Sequence, residues 1–424
     1  MKMRIQRQFL TGRILRLVAL AFMAIAALVV ANPVDAGADT VAPPTSISSD
    51  CSANAGGVLG TWLNGLPDNS TVEFPTDGCY LIGTSLKVQS TSGLTIVGNG
   101  TTLRQASPGP KTTIRPIVLL TLDHDLTMNG LDIDGGYDGA NGGVNYEGNY
   151  GLLLEADSGV TLAGLKIDDI QGDFIDLNAP NSGFTGTSHA LNTNVSVTDS
   201  TFKNAGYHGV TVEAADGVLF SGDTFSNIGV DAMDFEYDIY STAWKNGKPT
   251  EAAEDNVTIT NDTWNSFGDD WFASIQPQLP GVDEENVVLS DNTVNSANPL
   301  LQVKGSALNH GLTITGNTAT KPARSTSGGS ITKPYVGSTM TISHVDEVNI
   351  ENNVFPVYDG TANYYPNHPY LAALAATDLS ALDLQDNNFE GALGILNPSS
   401  SGNTAMTACG NLYGVNGKRS DGAC

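Results

Sequence analysis

A short alternation of apolar and polar residues recurs along most of the chain. Each copy reads apolar, polar, apolar, polar, then Gly, Asn or Asp, with another apolar residue two or three positions later. Alternation with a period of two predicts short strands with one buried face, and Gly, Asn or Asp at a fixed place predicts a bend after each strand. Steps of 23 to 39 residues separate ten copies, which begin at Leu94, Leu126, Val160, Val195, Val218, Val257, Val287, Leu312, Val348 and Leu382.

Units of this size cannot bury their apolar face alone and must stack on their neighbours. The pattern therefore predicts an all-β fold, a right-handed parallel β-helix of about ten coils with two or three short strands in each coil. A β-sandwich also contains many short strands, but it does not predict one phrase that repeats in one register. A propeller needs about 40 residues per blade, which the shortest steps cannot supply.

The repeated phrase resembles the coils of the pectin-lyase-like superfamily of right-handed β-helix proteins. The resemblance covers the chain from about Gly57 to Phe389. That superfamily contains hydrolases, lyases, epimerases, isomerases and non-catalytic adhesins. The resemblance therefore implies the fold and leaves the function to be argued from the site.

Aligned coil on coil, the copies bring acidic residues into one polar region. Four segments, 172–178, 207–213, 230–236 and 269–275, fall in register, and together they are called the acidic strip. Counted from the start of each copy, the strip carries Asp173, His208, Asp231 and Asp270 at thirteen residues, Asp176, Thr211, Asp234 and Ala273 at sixteen, and Asn178, Glu213, Glu236 and Ile275 at eighteen. The period of two predicts that the last two sets point outward.

A purely structural interpretation accounts for part of the acidic strip. Asp173, Asp231 and Asp270 stand where a bend is expected, and Asp is a common turn residue. The same interpretation does not account for Asp176 or Asp234 inside strands, where Asp is disfavoured. Carboxylates this close repel one another, so some must be protonated, metal-bound or directed at a substrate.

The acidic strip predicts a secreted glycoside hydrolase that cleaves an extracellular polysaccharide. This chemistry needs an acid and a second carboxylate, about 5 Å apart for retention or about 6.5–9.5 Å for inversion, and coils about 4.8 Å apart can supply either spacing. Asp234 is the candidate acid, and the other candidate catalytic residues are Asp231, Asp270, Asp269 and His208. Candidate substrate contacts are Asp173, Asp176, Tyr207, Glu213, Glu236, Trp271 and Lys304.

Two short motifs resemble those of polygalacturonase-type hydrolases. Asp269-Asp270 resembles their Asp-Asp motif, and Tyr207-His208-Gly209 resembles their Gly-His-Gly motif. The order departs from that family because the His motif comes first here, and the Arg-x-Lys substrate clamp is absent.

Two other functions remain open at this point. A Ca²⁺-dependent pectate-type lyase would need a base near a Ca²⁺-bound uronate, and Lys304 is the basic residue placed to approach the acidic strip. A non-catalytic surface or adhesion protein would carry the strip as a solvated face or as a structural calcium site. The hydrolase hypothesis requires no cofactor, and any Ca²⁺ would be expected at Asp176, Asp234 and Glu236.

The net charge of the chain limits its possible binding partners, and the N-terminal segment indicates its cellular compartment. Lys and Arg number 19 against 45 Asp and Glu, a formal net charge of -26, which disfavours nucleic acid and anionic membranes as partners. The first 36 residues predict a signal peptide, with a basic start, an apolar run over 17–30, and Val34 and Ala36 at a cleavage site. Residues 37–424 are then expected to form one extracellular β-helix domain with a cap at each end.

The four cysteines fit an exported protein. Cys51 and Cys79 lie near the predicted mature N-terminus, and Cys409 and Cys424 lie near the C-terminus. Their clustering predicts two local bridges, one at each end, although four cysteines permit three pairings. A zinc site would need closely spaced ligands, and the sequence has no Cys-x-x-Cys motif.

Overall fold

Three long parallel sheets are built from strands that return once per coil. The computed structural model describes residues 40–107, 114–137, 148–179, 191–236, 244–245, 248–249, 254–268, 271–276, 284–296, 300–303, 309–321, 337–357, 371–392, 394–396, 400–414, 419–420 and 422. Residues 40–424 fall in one compact unit. The predicted domain boundary after Ala36 lies outside the described residues.

Sheet 1 has 13 strands and contains the repeated phrase. Its strands are Thr40–Val41, Thr71–Glu73, Thr95–Val97, Thr127–Asn129, Ser158–Ala163, Asn192–Thr198, Ala215–Ser221, Glu254–Thr260, Glu284–Ser290, Asn309–Thr315, Val345–Glu351, Leu382–Gln385 and Met406–Cys409. Sheet 2 follows the bend in each coil. Its ten strands are Asp50–Asn54, Cys79–Ile82, Thr102–Gln105, Asp132–Asp134, Lys166–Ile170, Thr201–Ala205, Thr224–Ile228, Thr263–Asn265, Thr293–Val294 and Thr318–Ala319.

Sheet 3 carries the acidic strip. Its 11 strands are Leu86–Gln89, Val118–Thr121, Leu152–Glu155, Ile175–Asn178, Val210–Val212, Met233–Glu236, Ala273–Gln276, Leu301–Val303, Gly337–Ser343, Leu371–Thr377 and Gly394–Leu396. The remaining strands are an antiparallel pair, Trp244–Lys245 and Lys248–Pro249, and a small sheet of Asn388–Glu390, Leu412–Gly414 and Arg419–Ser420. The architecture is the predicted right-handed parallel β-helix.

The predicted register of the phrase is confirmed. The ten copies miss two strands at the N-terminal end of sheet 1 and one strand at its C-terminal end. Val160 pairs with Val195, Val195 with Val218, and Val218 with Val257. Sheet 1 continues beyond the ten copies with Thr40–Val41 and Thr71–Glu73 before them and Met406–Cys409 after them. The last of these strands is mostly exposed. Terminal strands bury less of one face, so their alternation is weaker in the sequence.

The interior is filled by apolar side chains that stack from coil to coil. Phe202 stacks on Phe225 with ring centroids 4.4 Å apart, and Phe225 stacks on Trp264 at 3.8 Å. All three are fully buried. Bends between the sheets often place Asn or Asp in the left-handed region, as at Asn99, Asn261 and Asp291, which is the conformation predicted for these positions.

A helix and a disulfide lie at the N-terminal end. The helix Gly56–Leu63 buries Leu59 and Leu63, and a Cβ at Gly60 would lie 2.7 Å from the Lys87 carbonyl oxygen, so only glycine permits this approach to sheet 3. The predicted Cys51–Cys79 bond is present. Cys409 is also disulfide-bonded. Cys424 lies outside the described residues, so its pairing with Cys409 stays a prediction.

Candidate functional site

The acidic strip occupies four successive strands of sheet 3 and, together with the preceding strand Leu152–Glu155, forms three columns. The pairing of Leu152 with Ile175, Val210 with Met233 and Met233 with Ala273 fixes the register. The first column, just before the strands, is Tyr150, Asp173, His208, Asp231 and Trp271. The second column is Leu153, Asp176, Thr211, Asp234 and Ser274. The third includes Glu155 and Asn178, which pair, and Glu213 and Glu236 in the coils that follow.

The second column lies on the outer face of sheet 3 but is not exposed to solvent. Ile175 and Leu177 belong to the apolar core, so the pleat directs Asp176 between them to the other face. Five titratable side chains of the strip have very low exposure, namely Asp176 at 0%, Asp173 at 2%, Asp234 at 3%, and His208 and Asp231 at 5% each. Glu213 and Glu236 are half-buried.

The predicted register of the fourth segment is wrong by one residue. Eight residues separate Phe225 from Met233, whereas nine separate Trp264 from Ala273, which pair with them. The additional residue puts Ser274 beside Asp234 and turns Ala273 into the core. Trp271 therefore occupies the place predicted for Asp270. Asp269, Asp270 and Lys304 themselves lie outside the described residues.

Asp173 and Asp231 tie neighbouring coils together. Asp173 accepts a hydrogen bond from the backbone N–H of His208 at 2.8 Å and another from the Thr211 hydroxyl at 2.8 Å. Asp231 accepts a hydrogen bond from the backbone N–H of Trp271 at 2.6 Å. Both carboxylates thus fix the backbone just before the next strand of sheet 3, which is a role typical of turn residues.

His208 lies between two carboxylates. Its Nδ1 is 3.9 Å from Oδ2 of Asp231, and its Nε2 is 3.6 Å from Oδ2 of Asp234. Burial lowers the pKa of His208 to about 3, so the ring is neutral near pH 7. Among the described atoms, Nδ1 of His208 and Oδ1 of Asp234 are buried without a hydrogen-bond partner.

The surroundings of Asp234 favour the protonated form of its carboxyl group. Burial is the main cause that raises the pKa of this carboxyl well above its ordinary value, and the charges of Glu236, Asp231 and Asp173 raise it further. A hydrogen bond with Glu236 acts in the same direction. Such a group can donate a proton at a pH where an ordinary aspartate cannot.

Tyr150 forms a second buried contact at the start of the strip. Burial, followed by the charges of Asp176, Asp173 and Glu213, raises the pKa of its phenol above the ordinary value, and its hydroxyl is hydrogen-bonded to Asp176. Tyr150 therefore stays protonated and donates to that carboxylate. Its position in the first column follows from the same register as Asp173.

Within the described part of the chain, one group of side chains has the spacing of a metal site. His208, Asp231 and Asp234 each present a donor atom within 4.8 Å of the other two. Of the residues predicted to hold Ca²⁺, only Asp234 belongs to this group. An imidazole donor is unusual for Ca²⁺, which prefers oxygen ligands, and fits a transition metal better.

The aromatic residues divide between the site and the core. Tyr207 is half-buried, with its ring centroid 3.9 Å from that of His208, and Trp271 lies at the end of the first column. Phe272 lies in the core and meets Trp264 edge-on at 5.6 Å. Ser274 was missed as a site residue because the count from Val257 assumed a bend of the usual length before Trp271, whereas this bend is one residue longer. A count that starts from Trp264 gives the same wrong position, because the additional residue follows Trp264.

Comparisons with known proteins agree with the fold. A family described as the right-handed β-helix region matches residues 150–355. A mutant tailspike protein of the E. coli bacteriophage HK620, solved with a pentasaccharide, has a TM-score of 0.59 at 13% identity, and the match covers 88% of this chain and 66% of that chain. PfbA, a surface adhesin of Streptococcus pneumoniae, has a TM-score of 0.52 at 13% identity and coverages of 86% and 90%.

An endo-xylogalacturonan hydrolase from Aspergillus tubingensis is also similar, with 13% identity, a TM-score of 0.49, and coverage of 91% of this chain and 95% of that chain. No curated protein matches the sequence significantly. Identities this low describe a shared fold. In the part of the chain that the structure describes, no helix has the length and apolar character needed to cross a membrane.

Proposed function

We propose that this right-handed parallel β-helix, which resembles the pectin-lyase-like superfamily, is a secreted glycoside hydrolase whose acid is Asp234. The observation that carries this proposal is the pairing of a buried Asp234, whose pKa is raised well above its ordinary value, with a second carboxyl, Asp231, three residues earlier in the same coil. A carbohydrate-related role is supported by the tailspike neighbour solved with a pentasaccharide.

The spacing of the two carboxyl groups favours a retaining mechanism. One oxygen of Asp231 and one of Asp234 lie within 4.8 Å of each other, near the separation of about 5–5.5 Å that retaining enzymes use. Asp234 would donate its proton to the glycosidic oxygen while Asp231 attacks the anomeric carbon and forms a glycosyl ester. Asp234, now a carboxylate, would then take a proton from the water that hydrolyses the ester.

His208 would assist by its position and its neutrality. A neutral imidazole beside both carboxyl groups leaves Asp231 as the anion and does not draw the proton away from Asp234. Thr211 and Ser274 flank Asp234 on the neighbouring strands and supply hydroxyl groups next to the acid. Tyr207 and Trp271 would contact the sugar rings from either side of this pair.

A hydrolase is favoured over a lyase by the charges around the acid. The groups that act on Asp234 are carboxylates, whereas a lyase needs a base beside a bound uronate. Lys166 is held on sheet 2, with its Nζ 2.8 Å from Asp168. Lys304 lies outside the described residues and keeps its place as a predicted contact only.

Non-catalytic glycan binding is the second candidate, and the burial of the acid pair favours it. Asp234 is 3% exposed and Asp231 is 5% exposed, so a glycosidic oxygen must displace side chains to reach them. The similarity in fold to a surface adhesin is compatible with this candidate.

A panel of neutral and uronic polysaccharides, with and without Ca²⁺, tests the proposal. New reducing ends without an unsaturated uronate chromophore are expected, and the first product should keep the anomeric configuration of the substrate. Inversion of configuration would overturn the assigned roles, and a chromophore would indicate a lyase. Binding of a glycan without any cleavage would support the second candidate.

A further inference from the structure

A ladder of buried polar side chains follows the bend between sheet 1 and sheet 2. Each member is at most 2% exposed, and the members lie one coil apart. In order they are Ser200, Asp223, Asp262, Asn292, Asn317, Asn353, Asn387 and Asn411. Asparagine fills five successive positions, and aspartate fills the two that precede them.

Four of the asparagines, Asn292, Asn317, Asn353 and Asn387, use their amides in the same way. In Asn353, which we take as one rung of the ladder, Oδ1 accepts a hydrogen bond from the backbone N–H of Asn317 at 2.9 Å. Its Nδ2 donates to the carbonyl oxygen of Ile314 at 2.8 Å and to Oδ1 of Asn387 at 2.9 Å. The place taken by Nδ2 is therefore surrounded by acceptors and requires a donor.

The two aspartates repeat only half of this pattern. Oδ1 of Asp262 accepts from the backbone N–H of Asp223 at 2.7 Å, and the Asp262 N–H donates to Oδ1 of Asn292 at 3.0 Å. Oδ2 of Asp223 and Oδ2 of Asp262 are buried and have no hydrogen-bond partner among the described atoms. By the repeat, Oδ2 stands where the asparagines place a donor. A protonated Oδ2 can donate there, whereas a carboxylate can only accept, from nearby backbone N–H groups such as those of Ser221 at Asp223 and Gly222 at Asp262, and leaves the donor position of the repeat unfilled.

We propose that Asp223 and Asp262 form a pH-sensitive switch in the two coils that lead into the acidic strip. As carboxylic acids they complete the ladder, and as carboxylates they break it at two adjacent rungs. Asp223 lies in the coil that continues to Asp231 and Asp234, and Asp262 lies in the coil that continues to Trp271. The switch concerns the stability of these coils and stands independently of hydrolysis.

Burial is the largest effect on the pKa of both aspartates, and it outweighs the backbone N–H groups that lower these pKa values, those of Ser200 and Ser221 at Asp223 and of Asp223 and Gly222 at Asp262. Burial raises the pKa of Asp223 to about 7, and the charge of the exposed Asp199 adds to this effect. Burial raises the pKa of Asp262 to about 8, and the charge of Asp223 adds to it. Because the folded pKa values lie above the ordinary value of 3.8, the stability from these protons is complete below that value. It is lost as the pH rises through about 7 to 8.

The test is the double variant Asp223→Asn/Asp262→Asn, in which both rungs carry the missing donor. Unfolding of the full chain is followed at about pH 5 and about pH 9. The wild type should lose melting temperature between the two values, and the double variant should lose several degrees less. At about pH 9 the ratio of folded to unfolded protein should rise at least about tenfold over the wild type.

Two matched variants make the result specific. Asp199→Asn removes a nearby exposed charge outside the ladder and should change the pH dependence little. Asn353→Asp puts a third acid into the ladder and should steepen the loss of stability at high pH. If the double variant keeps the loss seen in the wild type, the proposal is overturned. If the double variant does not fold, the test uses the single variants Asp223→Asn and Asp262→Asn and the infrared absorption of protonated carboxylic acids near pH 6. Each single variant should lose the absorption of one protonated group. An unchanged band would overturn the proposal.

Discussion

Nε2 of His208 lies 3.6 Å from Oδ2 of Asp234 on the neighbouring coil, and both side chains are buried. Burial acts on the two groups in opposite ways, because it disfavours the charged form of each. It lowers the pKa of His208 to about 3, so the ring is neutral near pH 7, and it raises the pKa of Asp234 well above its ordinary value. Because the ring is neutral, the contact is not an ion pair near pH 7.

Replacing His208 should change how the free energy of unfolding depends on pH below neutrality. The folded pKa of His208 is about 3, below the ordinary value of 6.5, so its contribution is complete above 6.5 and is lost as the pH falls toward 3. The difference in unfolding free energy between wild type and His208→Asn should therefore shift in favour of the variant between about pH 7 and about pH 4. Denaturant unfolding at both values measures it.

The control is His310→Asn, which changes an exposed histidine that lies 3.5 Å from Asp346 on sheet 1. This variant should show a much smaller shift between the two pH values. An equal shift in both variants would mean that burial of His208 is not the cause.

Trp264 supports the stack of rings inside the coils. It is fully buried and lies 3.8 Å from Phe225. Trp264→Ala should cost about 3–5 kcal/mol of unfolding free energy. Trp264→Phe should cost clearly less, because it keeps a ring and removes an indole N–H that is buried without a partner. Thermal unfolding of both variants checks this order, and the reverse order would contradict the packing described.

The Cys51–Cys79 bond closes a loop with a sequence separation of 28 residues. A loop of that size corresponds to about 3–4 kcal/mol in the chain-entropy view. Replacing both cysteines with serine should lower the unfolding free energy by about this amount while the other bond remains. Peptide mapping without reduction should show Cys409 joined to Cys424, and a link from Cys409 to Cys51 would contradict both pairings.

The sequence predicts the fold well because the signal is repeated. One alternating phrase fixes the strands of sheet 1 and their register, as the pairing of Val195 with Val218 confirms. The end strands could not be found in the same way, since Met406–Cys409 is mostly exposed and lacks a buried face. Their presence depends on stacking against a neighbour and not on local pattern.

The candidate site was less predictable because it depends on loop length and burial. Asp234 and His208 follow bends of regular length, so counting from the phrase places them in adjacent coils. One additional residue before Trp271 moves Trp271 into the place in the first column that was predicted for Asp270. Burial of Asp176 on the outer face could not be predicted either, since period-two alternation distinguishes the two faces of a strand and not what covers them.

The acid role of Asp234 is tested most directly by the turnover number of Asp234→Asn on whichever polysaccharide the panel identifies. The variant is close in shape to the wild type, so its melting temperature should stay near that of the wild type, and Asp346→Asn on sheet 1 serves as a control for the loss of one acidic group. If Asp234 is the general acid, kcat should fall by about 10²-fold or more in Asp234→Asn and stay near wild type in Asp346→Asn. A kcat for Asp234→Asn close to that of the wild type would contradict the account.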